Sequence, residues 1–148
     1  MVNIKGLIMI KLSNVIDCMD MCNDEIEYYY NPDKKEIFMS NIGEFEDLNE
    51  DELDELFSKS IKLPNKLDIH EYRIIEEFIE TIEDNLIHNQ LLISINGKGA
   101  FRRFKDTCIN FNIIEDWYNY RYKKYKEIAI NWCKRFNIKV EVDVDDKN

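Results

Sequence analysis

At 148 residues, 45% hydrophobic, 12% aromatic and 34% charged, the chain has the make-up of one globular domain, 1–148, able to bury roughly two thirds of its unfolded surface and too aromatic for disorder. A net charge of −10 disfavours nonspecific attachment to nucleic acid or to an anionic membrane. The apolar run Leu7-Ile8-Met9-Ile10 is far too short for a leader or a span, so the expected setting is cytoplasmic, without membrane attachment and with four reduced cysteines.

Ser13 is placed to cap a short helix on which Val15, Ile16, Met19 and Cys22 recur at helical spacing. Cys18 and Cys22 can share a helix face, but His70 and His88 lie far off without ligand spacing, so buried thiols are expected and no metal is assigned. The stretch EIEYYYNPDKKEIFMS then alternates: Ile26, Tyr28 and Tyr30 on one strand face, a turn opened by Asn31-Pro32-Asp33, and Ile37 with Met39 on the return. It predicts a hairpin at about 25–40. GEFEDLNEDELDELFSK follows, with Leu48, Leu53, Leu56 and Phe57 marking a short helix whose outer face is coated with carboxylates. It lacks the alternating oxygen ligands and central glycine of a calcium loop.

Asp68 and Glu71 resemble a capping box for a long amphipathic helix, with Tyr72, Ile75, Phe78, Ile79 and Ile82 on one side and Glu76, Glu77, Glu80 and Glu83 on the other. A further helical stretch, NLIHNQLLISIN, leads to Gly97 and Gly99. Carboxylate-bridged metal chemistry would require Glu-x-x-His pairs, which are absent. Beyond the glycines, Phe101, Phe104, Cys108 and Phe111 step along one helix face and are expected to be buried, with Arg102 pointing outward near Asp106. Over 114–136 an apolar stripe of Tyr118, Tyr122, Tyr125, Ala129, Trp132 and Phe136 steps by four and three; on a wheel Tyr118, Ala129, Trp132 and Phe136 fall within about 40° of Tyr125, and Trp117 and Cys133 flank them. Arg121 falls inside that apolar arc and needs a carboxylate from residues 1–96, or less readily a bound anion, to replace its hydration. The closing IKVEVDV alternates and can add a last strand. The fold class is therefore α+β: mostly helical, with a small antiparallel sheet that includes the hairpin.

GKGAFRRF meets neither the phosphate-loop nor the dinucleotide pattern. Gly97 suits the left-handed position after a helix, and Gly99 lets the backbone turn into the next. Such a joint leaves free N–H groups at the new helix start, beside Lys98, Arg102, Arg103 and Lys105, which together suit a phosphate or carboxylate. The charge changes sign at this point. Residues 1–96 carry 8 basic and 22 acidic side chains, whereas 97–148 carry 12 and 8. The split fits either a basic binding face or attraction between the two halves of the chain.

GKGAFRRFKD, with WYNYR downstream at 117–121, resembles the signature of a bacterial uncharacterised protein family that shares a Gly-[Lys/Arg]-Gly-Ala-Phe-Arg-Arg-Phe-Lys-Asp core and a later Trp-Tyr. Its relatives show a Thr-Gly-Glu turn where this chain has Asp33-Lys34-Lys35-Glu36. The resemblance implies a fold and a bacterial cytosolic setting, and it carries over no catalytic residue and no cofactor.

The function expected from these residues is a non-enzymatic binding module. Its basic helix joint at 97–105 would face an anionic ligand or nucleic acid through Lys98, Gly99, Arg102, Arg103, Lys105 and Arg121, with Arg121, Lys123, Lys124 and Lys126 extending the basic surface. The alternative is an adaptor whose acidic helices, 46–58 and 71–84, meet a basic protein partner. An enzyme ranks third: no Ser-His-Asp or Cys-His arrangement stands out, and no catalytic residue is assigned.

Overall fold

The computed structural model describes residues 9–40 and 47–144. They form a mostly helical α+β structure with a small antiparallel sheet, as the sequence pattern predicts. Two compact units emerge. One takes the chain up to Ile69 and again from Tyr125 onward; the other runs from His70 to Lys124.

In the first unit, β1 (Ile10–Lys11) passes directly into α1 (Leu12–Met21), which buries Leu12, Val15, Ile16 and Met19 at helical spacing. Ser13 does not cap this helix. Lys11 holds the N-cap position without a side-chain bond, and the Ser13 N–H donates to Asp143 Oδ1 at 2.9 Å. The Ser13 hydroxyl donates to Asp143 Oδ2. An anion from far along the chain thus does what a local side chain usually does at the positive helix end. At the other end, the Lys66 ammonium donates to the carbonyls of Met19 (3.2 Å) and Asp20 (3.0 Å), answering the negative end of the same helix.

The hairpin consists of β2 (Tyr28–Asn31) and β3 (Glu36–Met39), antiparallel, with Tyr28 opposite Met39 and Tyr30 opposite Ile37. Its turn opens as an Asx turn: the Asn31 side-chain oxygen accepts from the N–H groups of Asp33 and Lys34. Lys35 completes the turn at φ 55°. A two-residue β4 (Ile61–Lys62) pairs with the other edge of β2, giving the order β3-β2-β4. Between them lies α2 (Glu50–Lys59), started by a reciprocal capping box of Asn49 and Glu52. Its Phe57 ring meets Tyr29 at 5.0 Å and Phe38 at 5.8 Å. The last strand, β5 (Val140–Glu141), pairs parallel with β1, Ile10 opposite Val140.

A short α3 (Lys66–Ile69) ends this part of the first unit. The capping box expected of Asp68 and Glu71 is instead made by Asn65 and Asp68, each side chain accepting from the other's N–H at 3.0 Å. The chain reverses at His70, φ 61°, so Glu71 opens a new helix.

The second unit contains α4 (Glu71–Glu80), α5 (Asn85–Ser94), α6 (Ala100–Asn110) and the first part of α7 (Ile114–Arg135). Asp84 caps α5 by accepting from the Ile87 N–H at 3.0 Å. Three rings make the centre: Phe78, Phe104 and Trp117, with centroids 5.0–6.1 Å apart and steeply inclined, the geometry that ring quadrupoles favour.

Two expectations about apolar stripes need correcting. In α6, Phe104 and Cys108 are fully buried, but Phe101 is 47% exposed and Phe111, the C-cap, is half-buried. These two lie at the helix ends, where fewer neighbours cover them. In α7, Trp117, Tyr125, Ala129, Trp132 and Cys133 are buried, whereas Tyr118 is 46% exposed and Phe136, just past the end of the helix, is 41% exposed. A single wheel assumes one environment along the whole helix. This helix serves one unit up to Lys124 and the other from Tyr125 onward, and its buried positions differ between the two stretches. Among the described residues, no helix is long and apolar enough to cross a membrane.

Candidate functional site

The joint between α5 and α6 is where the sequence concentrates its basic residues and half its glycines. α5 ends at Ser94, and Gly97 and Gly99 take φ of 77° and 74°, the left-handed values that permit the reversal. At Gly97 the requirement is conformational alone, since a Cβ there would meet nothing within 4 Å. At Gly99 an added Cβ would also come within 3.1 Å of Arg103 Nη1.

That contact reveals the work of Arg103. Its Nε donates to the Ser94 carbonyl at 3.1 Å, Nη1 to that of Lys98, and Nη2 to those of Asn96 and, at 3.4 Å, Gly97. The Tyr72 hydroxyl donates to the remaining Ile95 carbonyl at 3.0 Å. A helix end leaves carbonyls without intrahelical partners; here a guanidinium gathers them and places its charge against the negative pole of α5. Of the predicted anion ligands, then, Arg103 is turned inward on the joint.

Arg121 is likewise engaged. Its Nε donates to Glu71 Oε2 at 2.7 Å, with the side chains 25% and 19% exposed. This is the partner demanded by an arginine on an apolar arc: a carboxylate from the acidic part of the chain, held by a charge-assisted bond. The apolar arc predicted a carboxylate from residues 1–96, and Glu71, fifty residues away, supplies it. Nearby in the chain, Lys124 Nζ lies 3.8 Å from Glu77 Oε1 and 5.5 Å from the Tyr120 ring centroid.

Lys98, Arg102 and Lys105 are exposed, as Arg103 is, but their charges are not among those gathered on the carbonyls of the joint; Arg102 and Lys105, three residues apart, share a face of α6. Arg102 and Asp106 were expected to pair; among the described residues no ion pair joins them. Gly99, the N-cap of α6, supplies no side-chain acceptor, and the first backbone donor bonded within the helix is that of Arg103, to the Gly99 carbonyl at 3.0 Å. The amides of the first turn therefore stand at the positive end of the helix dipole beside three cations. Exposed rings in the same unit, Phe101, Tyr118 and Tyr122, offer flat apolar surface.

Elsewhere the chemistry is muted. Burial pushes the Cys108 thiol up to about 12 and the Cys133 thiol to about 11. Cys18 is also held at about 11, first by burial and then by the neighbouring Asp17 charge and Cys22. Such thiols stay protonated and unreactive near neutrality. Among the described residues, no three His, Cys, Asp or Glu side chains are grouped to hold a metal ion. Sequence reasoning missed the inward role of Arg103 and the helix-capping Asp143; neither follows a local code, because each is set by where a distant or reversing backbone returns.

No match was found among the curated proteins or among the solved structures. The sequence is instead recognised as a whole: the family model matches residues 5–147, and the chain belongs to the Uncharacterised protein family (UPF0158).

Proposed function

We propose that this protein is a non-enzymatic cytoplasmic binding module whose α5–α6 joint receives the phosphate groups of a single-stranded nucleic acid. The observation that carries the reading is the set of exposed Lys98, Arg102 and Lys105 around the uncapped start of α6, with Arg103 spent on shaping the joint. Cations and helix-start amides supply sequence-independent affinity for phosphate. Exposed Tyr118 and Tyr122 supply surfaces on which unpaired bases stack. Gly99 contributes its backbone rather than a side chain, and Arg121 contributes by fixing α7 to α4.

Anisotropy titration with labelled single-stranded RNA and DNA tests this reading. Micromolar binding at about 50 mM salt is expected, falling with log salt by about 0.7 per phosphate contacted. The triple variant Lys98→Ala, Arg102→Ala, Lys105→Ala should bind at least about ten-fold more weakly and with a shallower salt slope. Absence of binding at about 50 µM, or full affinity in the triple variant, refutes it. A second reading rests on α2, whose Glu50, Asp51, Glu52, Asp54 and Glu55 are all exposed: an acidic face for a basic protein partner. Affinity purification with the wild type and with Glu50→Gln, Asp51→Asn, Asp54→Asn distinguishes it; that reading needs a basic protein retained by the first and lost by the second.

A further inference from the structure

Within the first unit, the sheet face that carries Tyr30 and its register partner Ile61 shares a cleft with the residues that follow α7, Phe136 to Lys139. The cleft encloses about 510 Å³, the size of a small-molecule site. Local backbone shapes both of its walls. Lys35 completes the hairpin turn and Asn137 ends α7 at the same left-handed φ of 55°, and the Ile138 N–H donates to the Cys133 carbonyl at 2.8 Å, closing the helix end as the chain turns away. Left-handed backbone at residues other than glycine carries a cost, and such positions gather at ligand sites.

The lining is selective in charge. Among the described residues no Asp or Glu contributes to it, although the chain holds 30 acidic side chains. The acids that flank Lys35 are placed elsewhere: Asp33 lies 3.9 Å from Lys59, and Glu36 lines the neighbouring cleft beside α1. Lys35 and Lys139 both line this one, and among the described residues no ion pair joins Lys139. Tyr30 is an independent sign of a ligand. It is only 6% exposed, its ring packed edge-on against Trp132, yet its hydroxyl has no hydrogen-bond partner among the described residues and stays open on one side. A buried phenol ordinarily finds a partner. Burial first and the Cys133 thiol second hold it above its usual value, so it remains a donor, and the wall it forms is that of this cleft. Phe136, 41% exposed, lines the same space with an aromatic side chain.

Lysines alone would accept any anion; a buried phenolic donor and an accessible ring narrow the choice to an anion attached to a flat apolar body. We propose that this cleft binds a small aromatic anion, its ring against Phe136 and its carboxylate or phosphate between Lys35, Lys139 and the Tyr30 hydroxyl. The site is separate from the α5–α6 joint and needs no nucleic acid.

Titrating the isotope-labelled full chain with phenyl phosphate, inorganic phosphate and phenol, followed by amide resonances, tests the inference. Phenyl phosphate should shift the signals of Tyr30, Asn137, Ile138 and Lys139 with a Kd of about 0.1–1 mM, and phosphate or phenol alone should bind at least about ten-fold more weakly, since each fills half of the site. Lys139→Ala, Phe136→Ala and Tyr30→Phe, the last keeping the ring against Trp132, should each weaken phenyl phosphate by about five- to ten-fold. Lys35→Gly removes a cation at a backbone position that glycine adopts freely, so affinity should fall about ten-fold with no drop in melting temperature. Lys34→Ala deletes a neighbouring exposed charge that does not line the cleft and should stay within about two-fold of the wild type. No shift at about 5 mM phenyl phosphate, shifts confined to Gly97–Lys105, equal affinity for inorganic phosphate, or a loss in Lys34→Ala as large as in Lys139→Ala overturns the proposal.

Discussion

The bond between Arg121 and Glu71 allows the energetic reasoning to be tested at one point. Removing the guanidinium with Arg121→Met keeps most of the stem's apolar contact but takes the charge-assisted bond away from a carboxylate that is only 19% exposed. Breaking a fully buried pair costs about 3–5 kcal/mol, and a charge-assisted hydrogen bond contributes about 1.5–3 kcal/mol. With a fifth to a quarter of each side chain still reached by water, partial rehydration brings the expected loss to about 2 kcal/mol. Glu71→Gln retains an acceptor for Nε and removes only the charge, for a loss of about 1–2 kcal/mol. The double variant should then be more stable than the sum predicts by about 1–2 kcal/mol, because each single change abolishes the same contact. Urea unfolding, followed by Trp117 fluorescence in a Trp132→Phe background, reports on the unit that holds the pair. Raising the salt should leave most of that coupling in place, as expected of a pair largely withdrawn from solvent. Strictly additive single changes, or losses below about 0.3 kcal/mol, would refute the claim that the pair is more than a surface contact.

Lys35 occupies φ 55° in the hairpin turn, a left-handed value that glycine adopts without a side-chain penalty; Lys35→Gly should stabilise the hairpin unit by up to about 1 kcal/mol, whereas Lys34→Gly should lower stability by about as much. A lower melting temperature for Lys35→Gly would show that the lysine side chain outweighs the backbone strain. The buried thiols should titrate only with unfolding: folded protein at pH 8 should leave Cys108 and Cys133 unmodified by an aromatic disulfide reagent, and denatured protein should react at all four cysteines. Because burial raises these thiols from 9.0 to about 12 and about 11, the unfolded chain ionises first. Their contribution is thus present below pH 9 and lost as pH rises through the folded values; urea midpoints that stay flat up to pH 10.5 would contradict this sign.

The hairpin was legible because alternation and an Asn-Pro-Asp turn are both local, and the α5–α6 joint because only glycine enters a left-handed reversal so readily. The Arg121 partnership was legible for a different reason: a charge placed on an apolar arc must be answered, and the acidic first part of the chain held the carboxylates. Periodicity failed where it assumes a uniform surround. Phe101 and Tyr118 sit at spacings that a wheel marks as core, yet they lie where cover runs out or where the helix changes the unit it serves. Nothing in the local sequence signals that Asp143 will meet Ser13, Lys66 the end of α1, or Arg103 four carbonyls behind it. These contacts are made by return of the backbone and obey no code of neighbours. That the basic joint would be only partly available to a ligand followed from such a return.

The pairing of β1 with β5 carries a consequence for biosynthesis. Ile10 and Val140 face each other in register, and the Trp132 indole N–H reaches the Lys62 carbonyl at 2.9 Å while its ring meets Tyr30 edge-on. The unit that contains them is therefore written in two instalments, with the whole of His70–Lys124 translated in between. On the ribosome, β1 and the hairpin emerge with Ile10 and Tyr30 and must wait for roughly a hundred to a hundred and thirty further residues before Trp132 and Val140 can meet them. At about 5–20 residues per second, that interval lasts several seconds. During it the intervening stretch, contiguous in sequence, can complete its own unit before the first unit receives its last segment.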